Sequence, residues 1–272
     1  MISVTSLCDN VNNSKKLWST EGNSLLVDAF DKRILLDVGR DLEILIHNLD
    51  ALSVSKDSIT DVVLTHGHKG HVGAATAALP FEKAVIRYGE GFGVPKFKHK
   101  GGEYKAVGNE KIIPSLNTLT LKSADRVSEI SEGRVYAFKS KRDYPFVREE
   151  KMQILVDGEY RQDIFSEELN LCIKTSQGLV IISGCAHGGV KNILETAKEI
   201  FNDGRIYAFI GGTHILDDVA RTQEFVSLMR DMDVRLVAPS HCTGVLSRVL
   251  IGRELPDRFV SLSTGEKILI EE

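Results

Sequence analysis

Short apolar runs that stop at a turn recur along this chain, and they constrain its fold more than any other feature. Each run consists of consecutive β-branched or aliphatic residues, which is typical of a strand covered on both faces. We therefore interpret these runs as buried strands. The five clearest are ILLDVG at Ile34, VVLTHG at Val62, VIISGCAHGG at Val180, YAFIGGTH at Tyr207 and LVAPSHCTG at Leu236.

Helical patterns follow several of these turns. After Gly189, apolar residues recur at steps of three and four as far as Phe201, and a similar set extends from Asp217 to Met232. This spacing places the apolar side chains on one face of a helix. Strands that alternate with helices predict an α/β fold built in layers.

The stretch from about 88 to 160 lacks this regularity. Glycines, lysines and isolated aromatic residues replace the apolar runs, and no linker-like change of composition borders the stretch. We interpret it as a lid or insertion. The chain of 272 residues is accordingly predicted to be one domain, 1–272, with an insertion at about 88–160.

Histidines collect where the predicted strands end. Three of the eight histidines lie within the seven residues THGHKGH, and two more follow later strands. Because the carboxyl ends of strands line one crevice in an α/β fold, these side chains are expected to converge. Neutral imidazole is the commonest side-chain ligand for zinc. The pattern predicts a metal centre built from His66, His68, His71, His187 and His241.

One further histidine and two cysteines near these turns can be interpreted either as functional residues or as packed core residues. His214, in GGTHI, is either a ligand or substrate contact, or a core histidine with satisfied hydrogen bonds. Cys185 and Cys242 each neighbour a predicted ligand, and a thiolate can bind zinc, but tight packing of a small apolar residue is the alternative. We retain His214 and Cys185 as candidate catalytic residues. We assign no function to His47 or His99.

The composition narrows the class of protein. Lysine and arginine number 34 against 38 aspartates and glutamates, and a formal charge of −4 offers no general attraction for nucleic acid or an anionic membrane. The N-terminus lacks the pattern of a secretory signal, no apolar run is long enough to span a bilayer, and the four cysteines form no CxxC pair. We predict a cytoplasmic protein with a small-molecule substrate and no nucleic-acid or membrane partner.

The segments DVVLTHGHKGHVGA, SGCAHGG, GGTHI and PSHCTG resemble the metallo-β-lactamase superfamily, whose signature HxHxDH follows a strand. Together with DIFSEELNLCIK they are similar to one branch, the 7,8-dihydropterin-6-yl-methyl-4-(β-D-ribofuranosyl)aminobenzene 5'-phosphate synthase family, over nearly the whole chain. The resemblance implies an αββα sandwich that binds one or two divalent metal ions, foremost zinc, at the edge of its sheets.

The resemblance also implies the ligands. The aspartate of the signature falls on Gly70, so one negatively charged ligand is missing. This departure implies either a single tightly held ion or a second ion completed by another ligand, such as Cys185 or an aspartate elsewhere. The matched ligands are His66, His68 and His187 for the first ion, and His71 and His241 for the second.

Residues 91–105 and the glycine-rich turns GCAHGG and GGTH suit a phosphorylated or flat aromatic substrate. The turns can offer backbone N–H groups to an anion, although turn geometry alone would also explain their glycines. Residues 91–105 interleave cations with rings, although a solvated basic loop is the alternative. The stretch DIFSEE carries acids that can orient ligands or act as bases, or that lie on a charged surface. The cations are Lys96, Lys98, Lys100 and Lys105, the rings are Phe92, Phe97 and Tyr104, and the acids are Asp163, Glu167 and Glu168.

We therefore predict a metal-dependent enzyme of this superfamily that acts on a small phosphorylated or pterin-like substrate. A generic metal-dependent phosphoester or lactone hydrolase is one alternative, because a fold does not fix a function. A catalytically degenerate metal-binding or ligand-binding protein is the other, and Gly70 is the residue that favours it.

Overall fold

Two large β-sheets lie face to face in the computed structural model, which describes residues 1–108, 120–146 and 149–272. In spatial order, the seven-stranded sheet consists of β17 (Lys267–Ile270), β1 (Ile2–Cys8), β2 (Ser24–Ala29), β3 (Lys32–Leu36), β4 (Asp61–Leu64), β5 (Val85–Gly89) and β8 (Thr120–Ala124). The six-stranded sheet consists of β16 (Leu236–Ser240), β15 (Ile206–Gly212), β14 (Gly178–Ser183), β13 (Leu169–Thr175), β10 (Val135–Lys139) and β9 (Val127–Ser131). The five runs predicted to be strands are β3, β4, β14, β15 and β16.

Helices cover the outer face of each sheet. Against the seven-stranded sheet lie α1 (Leu42–Ala51) and the single turn α2 (Lys69–Val72), and against the six-stranded sheet lie α3 (Val190–Phe201), α4 (Val219–Asp231) and α5 (Val245–Glu254). Short 3-10 helices occupy Lys56–Ser58, Gly73–Thr76 and His241–Thr243. The helix predicted from Asp217 is α4. The carboxylate of Asp218 caps its N-terminus by accepting a hydrogen bond from Arg221 N at 3.0 Å.

Burial on both faces explains why the strands are apolar throughout. Side chains alternate between the two faces of a strand, so β2 directs Leu25 and Val27 to the interface between the sheets and Leu26 toward the outer helix. Each such buried side chain stabilises the fold by about 1.5–3 kcal/mol. The result is the αββα sandwich expected from the sequence.

Parallel pairing brings the functional turns to one edge of the sandwich. Strands β3, β4 and β5 run parallel, as do β14, β15 and β16. The chain leaves β4 into THGHKGH, β14 into GCAHGG and β16 into HCTG. Leu169 N donates to Thr65 O at 2.9 Å, which links the two sheets beside these turns.

A small antiparallel sheet lies over this edge, within the predicted insertion. In spatial order it consists of β12 (Glu159–Gln162), β11 (Met152–Val156), β6 (Lys96–Lys100) and β7 (Glu103–Ala106). Its continuation is bonded to the histidine turn, because Lys69 N donates to Val107 O at 2.9 Å and His68 pairs with Gly108 in an isolated bridge.

The predicted insertion at 88–160 is interleaved with the sandwich. Strands β8, β9 and β10 fall within this range but belong to the two large sheets. Residues 109–119 and 147–148 of the range lie outside the described residues. The assignment of the small sheet as a lid stays a prediction. Within the described parts of the chain, no helix has the length and apolar character needed to cross a membrane.

Candidate metal centre

Six imidazole rings gather at the edge where the parallel strands end. The centroids of neighbouring rings are between 4.1 and 5.2 Å apart. The structure thus brings together all five predicted ligands and one further histidine, while their binding to metal stays a prediction. The six residues are His66, His68, His71, His187, His214 and His241.

The first position, which we define as His66, His68 and His187, has the features of an available ligand set. These residues can offer ligand atoms within 4.8 Å of one another. Each Nε2 atom is buried and has no hydrogen-bond partner among the described residues. Burial lowers the pKa of each ring well below the ordinary 6.5, so all three are neutral ligands near pH 7. A buried polar atom without a partner costs about 1–3 kcal/mol, and a bound metal ion would remove this cost.

Asp37 fixes the orientation of two of the rings. Its buried carboxylate accepts from His71 Nδ1 at 2.5 Å and from the Thr65 hydroxyl at 2.9 Å. His66 Nδ1 in turn lies 3.0 Å from the Thr65 oxygen. With Nδ1 donating, each ring directs the lone pair of Nε2 toward the centre of the cluster. Asp37 was missed from the sequence, although it ends the run ILLD just as the histidines end theirs.

The second position, which we define as His71, His241 and Cys185, is differently arranged. His71 Nε2 lies 3.1 Å from His241 Nε2 and 3.1 Å from Cys185 Sγ. His241 Nδ1 contacts Asn10 Oδ1 at 3.0 Å, so its Nε2 also presents a lone pair. Burial raises the pKa of the Cys185 thiol well above 9.0, so the thiol keeps its proton and can donate to His71.

Gly70 stands next to this position, and packing does not require a glycine there. Its φ lies outside the left-handed region, and an added β-carbon would meet Glu21 O and Gly22 Cα at an ordinary 3.5 Å. Gly184 of the SGCAH motif is different. A β-carbon there would come within 2.4 Å of Thr65 Oγ1 and 2.9 Å of an Asp37 oxygen, so the close approach of β14 to β4 requires glycine.

His187 is held by two residues of the DIFSEE stretch. Glu168 accepts from the backbone N–H of His187 at 2.7 Å and from that of Gly188 at 2.9 Å. The Phe165 ring stacks on the His187 imidazole with centroids 3.7 Å apart and planes within 3°. These contacts fix the ring, whose two nitrogens are both buried without a hydrogen-bond partner among the described residues.

Lys96 is part of the support of the histidine turn. Its buried ammonium contacts Asp163 at 2.6 Å and Glu167 at 2.9 Å, and Gly67 N donates to Glu167 at 3.3 Å. Because the acids of DIFSEE are at most 3% exposed, they do not form a charged surface. Lys96 is also buried, so it does not belong to a solvated basic loop.

His214 borders the cluster and pairs with Glu149. Its Nε2 lies 3.1 Å from Glu149 Oε1, and its ring centroid is 4.2 Å from that of His187. Burial alone would lower the pKa of His214, but interactions with Cys242 and Glu149 raise it to about 9. An imidazolium therefore faces the predicted first position. Glu149 carried no signal in the sequence, because it lies in the irregular stretch.

Two cavities meet at these residues. One of about 520 Å³ is lined by five of the six histidines and by side chains of the small sheet. The other, of about 850 Å³, lies between α3 and α4 and shares His187 and His214 with the first. The cluster is therefore accessible to a small molecule from the surface.

Comparison with known proteins agrees with this geometry. Residues 19–159 match the metallo-beta-lactamase superfamily. The chain is 25% identical to 7,8-dihydropterin-6-methyl-4-(beta-D-ribofuranosyl)-aminobenzene-5'-phosphate synthase of Methanocaldococcus jannaschii, over 92% of this chain and 90% of that protein.

Solved structures extend the similarity to three dimensions. The crystal structure of Tm1679, described as a metal-dependent hydrolase of the beta-lactamase superfamily, is 26% identical and covers 100% of both chains with a TM-score of 0.85. Zn²⁺-bound PqqB from Methylobacterium extorquens is 12% identical, covers 98% of this chain and 100% of its own, and has a TM-score of 0.61. At that identity, the second likeness concerns the fold alone.

Proposed function

Because this chain belongs to the metallo-beta-lactamase superfamily, we propose that it is a metal-dependent enzyme acting on a small phosphorylated or pterin-like molecule. The observation that carries the proposal is the first position, where three buried imidazole nitrogens have no partner in the described chain. Three imidazoles with the fourth coordination site open are a usual ligand set of catalytic zinc.

The residues present fit a divalent metal ion, and neutral imidazole is a ligand type that suits zinc. An ion held by His66, His68 and His187 would polarise a phosphoryl or carbonyl oxygen and lower the pKa of bound water. The chain's own contribution is orientation: Asp37 and Glu168 fix the ligand rings before substrate arrives.

His214 is the candidate residue for direct contact with substrate. It lies on the cavity wall beside His187, and Glu149 holds its Nε2 side. In this position it can donate a hydrogen bond to an oxygen of the substrate while the metal ligands stay in place. Cys185 has a different proposed role, because its sulfur lies among the candidate ligand atoms of the second position.

Two comparisons bear on the substrate. The name of the Methanocaldococcus relative contains a pterin and a 5'-phosphate, which supports a phosphorylated or pterin-like molecule. The description of Tm1679 as a hydrolase supports the second candidate, a generic metal-dependent hydrolase of phosphoesters or lactones. Both candidates require the same first position.

The test is to measure metal content and turnover together. Elemental analysis of zinc-loaded protein, dialysed free of excess metal, should give at least one ion per chain in the wild type and in His47→Ala, a histidine outside the cluster, but a marked loss in His68→Ala. Steady-state hydrolysis of p-nitrophenyl phosphate and of a simple lactone, and coupling of a pterin to a phosphorylated aminobenzene, should follow metal content.

Two results would contradict the proposal. Turnover that survives complete removal of metal would exclude metal dependence. Metal binding at His66, His68 and His187 without turnover of any of these substrate classes would instead support the binding-protein alternative that Gly70 favours.

A further inference from the structure

Two lysines of the small sheet lie across the cavity from the metal cluster. Lys98 on β6 and Lys105 on β7 are direct cross-strand partners. Both line the cavity of about 520 Å³ that also contains His68, His71 and His241. The other flank of Lys98 is Met152 on β11, which offers no charge.

Direct pairing of like charges destabilises a sheet, so this pair needs an explanation. The next pair on the same face of these two strands is Lys100 with Glu103, where the charges are opposite. None of the ion pairs formed by the described residues includes Lys98 or Lys105, and the two acids of the cavity lining form ion pairs with other residues. Glu149 bonds to His214 at 3.1 Å and acts on Lys98 only through a longer-range electrostatic interaction, and Glu21 lies 3.6 Å from Arg40.

The cavity therefore has an excess of positive charge. Its lining includes four lysine or arginine side chains, Arg40, Lys69, Lys98 and Lys105, against two carboxylates, Glu21 and Glu149. The protein as a whole has a formal charge of −4, so this excess is local. A concave wall of one sign attracts ligands of the opposite sign.

The aromatic residues of the same segment are not part of this wall. Tyr104 pairs with His99 across the strands and stacks on Tyr160 with centroids 3.6 Å apart. Since side chains alternate along a strand, these rings occupy the face opposite Lys98 and Lys105. Phe92 is buried in the core under the outer helix. The wall is thus suited to charge rather than to ring stacking.

We propose that Lys98 and Lys105 form a subsite for the phosphate group of a phosphorylated substrate, opposite the metal ligands. The inference rests on the proposed function, because it places the remainder of the substrate at the first position. Two ammonium groups match the charge of a phosphate monoester near pH 7, and the bound phosphate would offset the repulsion between them.

The test uses zinc-loaded protein and phenyl phosphate as the probe, with affinity measured by isothermal titration calorimetry. The Lys98→Gln/Lys105→Gln double variant should bind at least about tenfold more weakly than wild type. Lys100→Gln, a change of the same kind two residues along β6, should bind as wild type does. Metal content should be equal in all three proteins, and the thermal midpoint of the double variant without ligand should not fall, because a repulsive pair is removed.

Equal affinity in wild type and the double variant, or no binding by wild type, would overturn the subsite. Binding that is insensitive to the lysines but lost in His68→Ala would also overturn it, since the phosphate would then sit on the metal alone. A protein that holds no metal but still binds phenyl phosphate through the lysines would refute the proposed function and leave the subsite intact.

Discussion

The first and second positions lie side by side, yet their ligand atoms are in opposite states. At the first, three buried Nε2 atoms have no partner among the residues described. At the second, His71 Nε2 is in contact with both His241 Nε2 and Cys185 Sγ, and the thiol keeps its proton. An ion entering the first position displaces nothing, whereas an ion entering the second must displace a proton. The two positions should therefore differ in affinity and in pH dependence.

The largest expected effect is from removal of a ligand at the first position. His66→Ala should weaken the tightest zinc equivalent by about a hundredfold or more, because the site loses one of three imidazoles. Competition with a chelator of known affinity measures this change. His241→Ala is the matched variant at the second position and should leave the tightest equivalent nearly unchanged. Equal losses in the two variants would show that the positions act as one site.

The next effect comes from restoring the missing carboxylate. Gly70→Asp should strengthen the second equivalent by about tenfold or more, since a charged oxygen ligand is added where only ordinary contacts meet a β-carbon. Zinc titration followed by elemental analysis gives the stoichiometry. Gly70→Asn keeps the shape without the charge and should produce much less gain. If wild type already holds two tight equivalents, the proposed difference between the positions is refuted.

Replacement of Cys185 tests whether binding of the second ion releases the proton of its thiol. Binding of the second ion to wild type should release a proton from Cys185, so its affinity should fall as pH falls. Cys185→Ser should weaken that ion by about tenfold and flatten its pH dependence. Substitution with Co²⁺ reports the same ligand directly, because only wild type should show thiolate-to-cobalt absorption. Identical cobalt spectra in the two proteins would place Cys185 outside the site.

A separate effect is expected on the stability of metal-free protein to unfolding, rather than on its affinity for metal. Burial holds the pKa of His66, His68 and His187 well below 6.5, so below about pH 6.5 the unfolded chain binds protons that the folded chain does not. Stability should therefore be complete above pH 6.5 and fall progressively in acid, by about 1.4 kcal/mol per pH unit for each such histidine. Urea unfolding of chelator-treated protein between pH 7 and pH 5 measures it. Constant stability over this range would contradict the burial of neutral rings.

The sandwich was largely predictable because its information is local. Runs such as ILLD and VVLT predict strands, and the resemblance of the histidine motifs supplied the layered arrangement, which both the fold and the superfamily match confirm. The small sheet was not predicted as a unit, because only its two hairpins, β6–β7 and β11–β12, are local in sequence. The pairing of β6 with β11, which makes them one sheet, joins residues that are distant in sequence.

The site was predictable in its ligands and not in their support. The histidines at strand ends are recognisable from their spacing in the sequence. The hydrogen bond between Asp37 and His71 is not, because it depends on how two strands pack in the folded chain. The buried ion pair between Lys96 and Asp163 was also not predictable, because a lysine in a basic segment is ordinarily exposed to solvent.

The backbone hydrogen bonds between the small sheet and the histidine turn would couple movement of the sheet to the position of the candidate metal ligands. Lys69 N donates to Val107 O, and Gly108 pairs with His68, which is itself a candidate ligand. A flap hinged freely above the cavity could swing without disturbing what lies beneath. Here, outward movement of the sheet would displace the turn that carries His66 and His68, so a wide opening would weaken metal binding by these residues. Substrates should therefore enter from the side, past a sheet that remains docked.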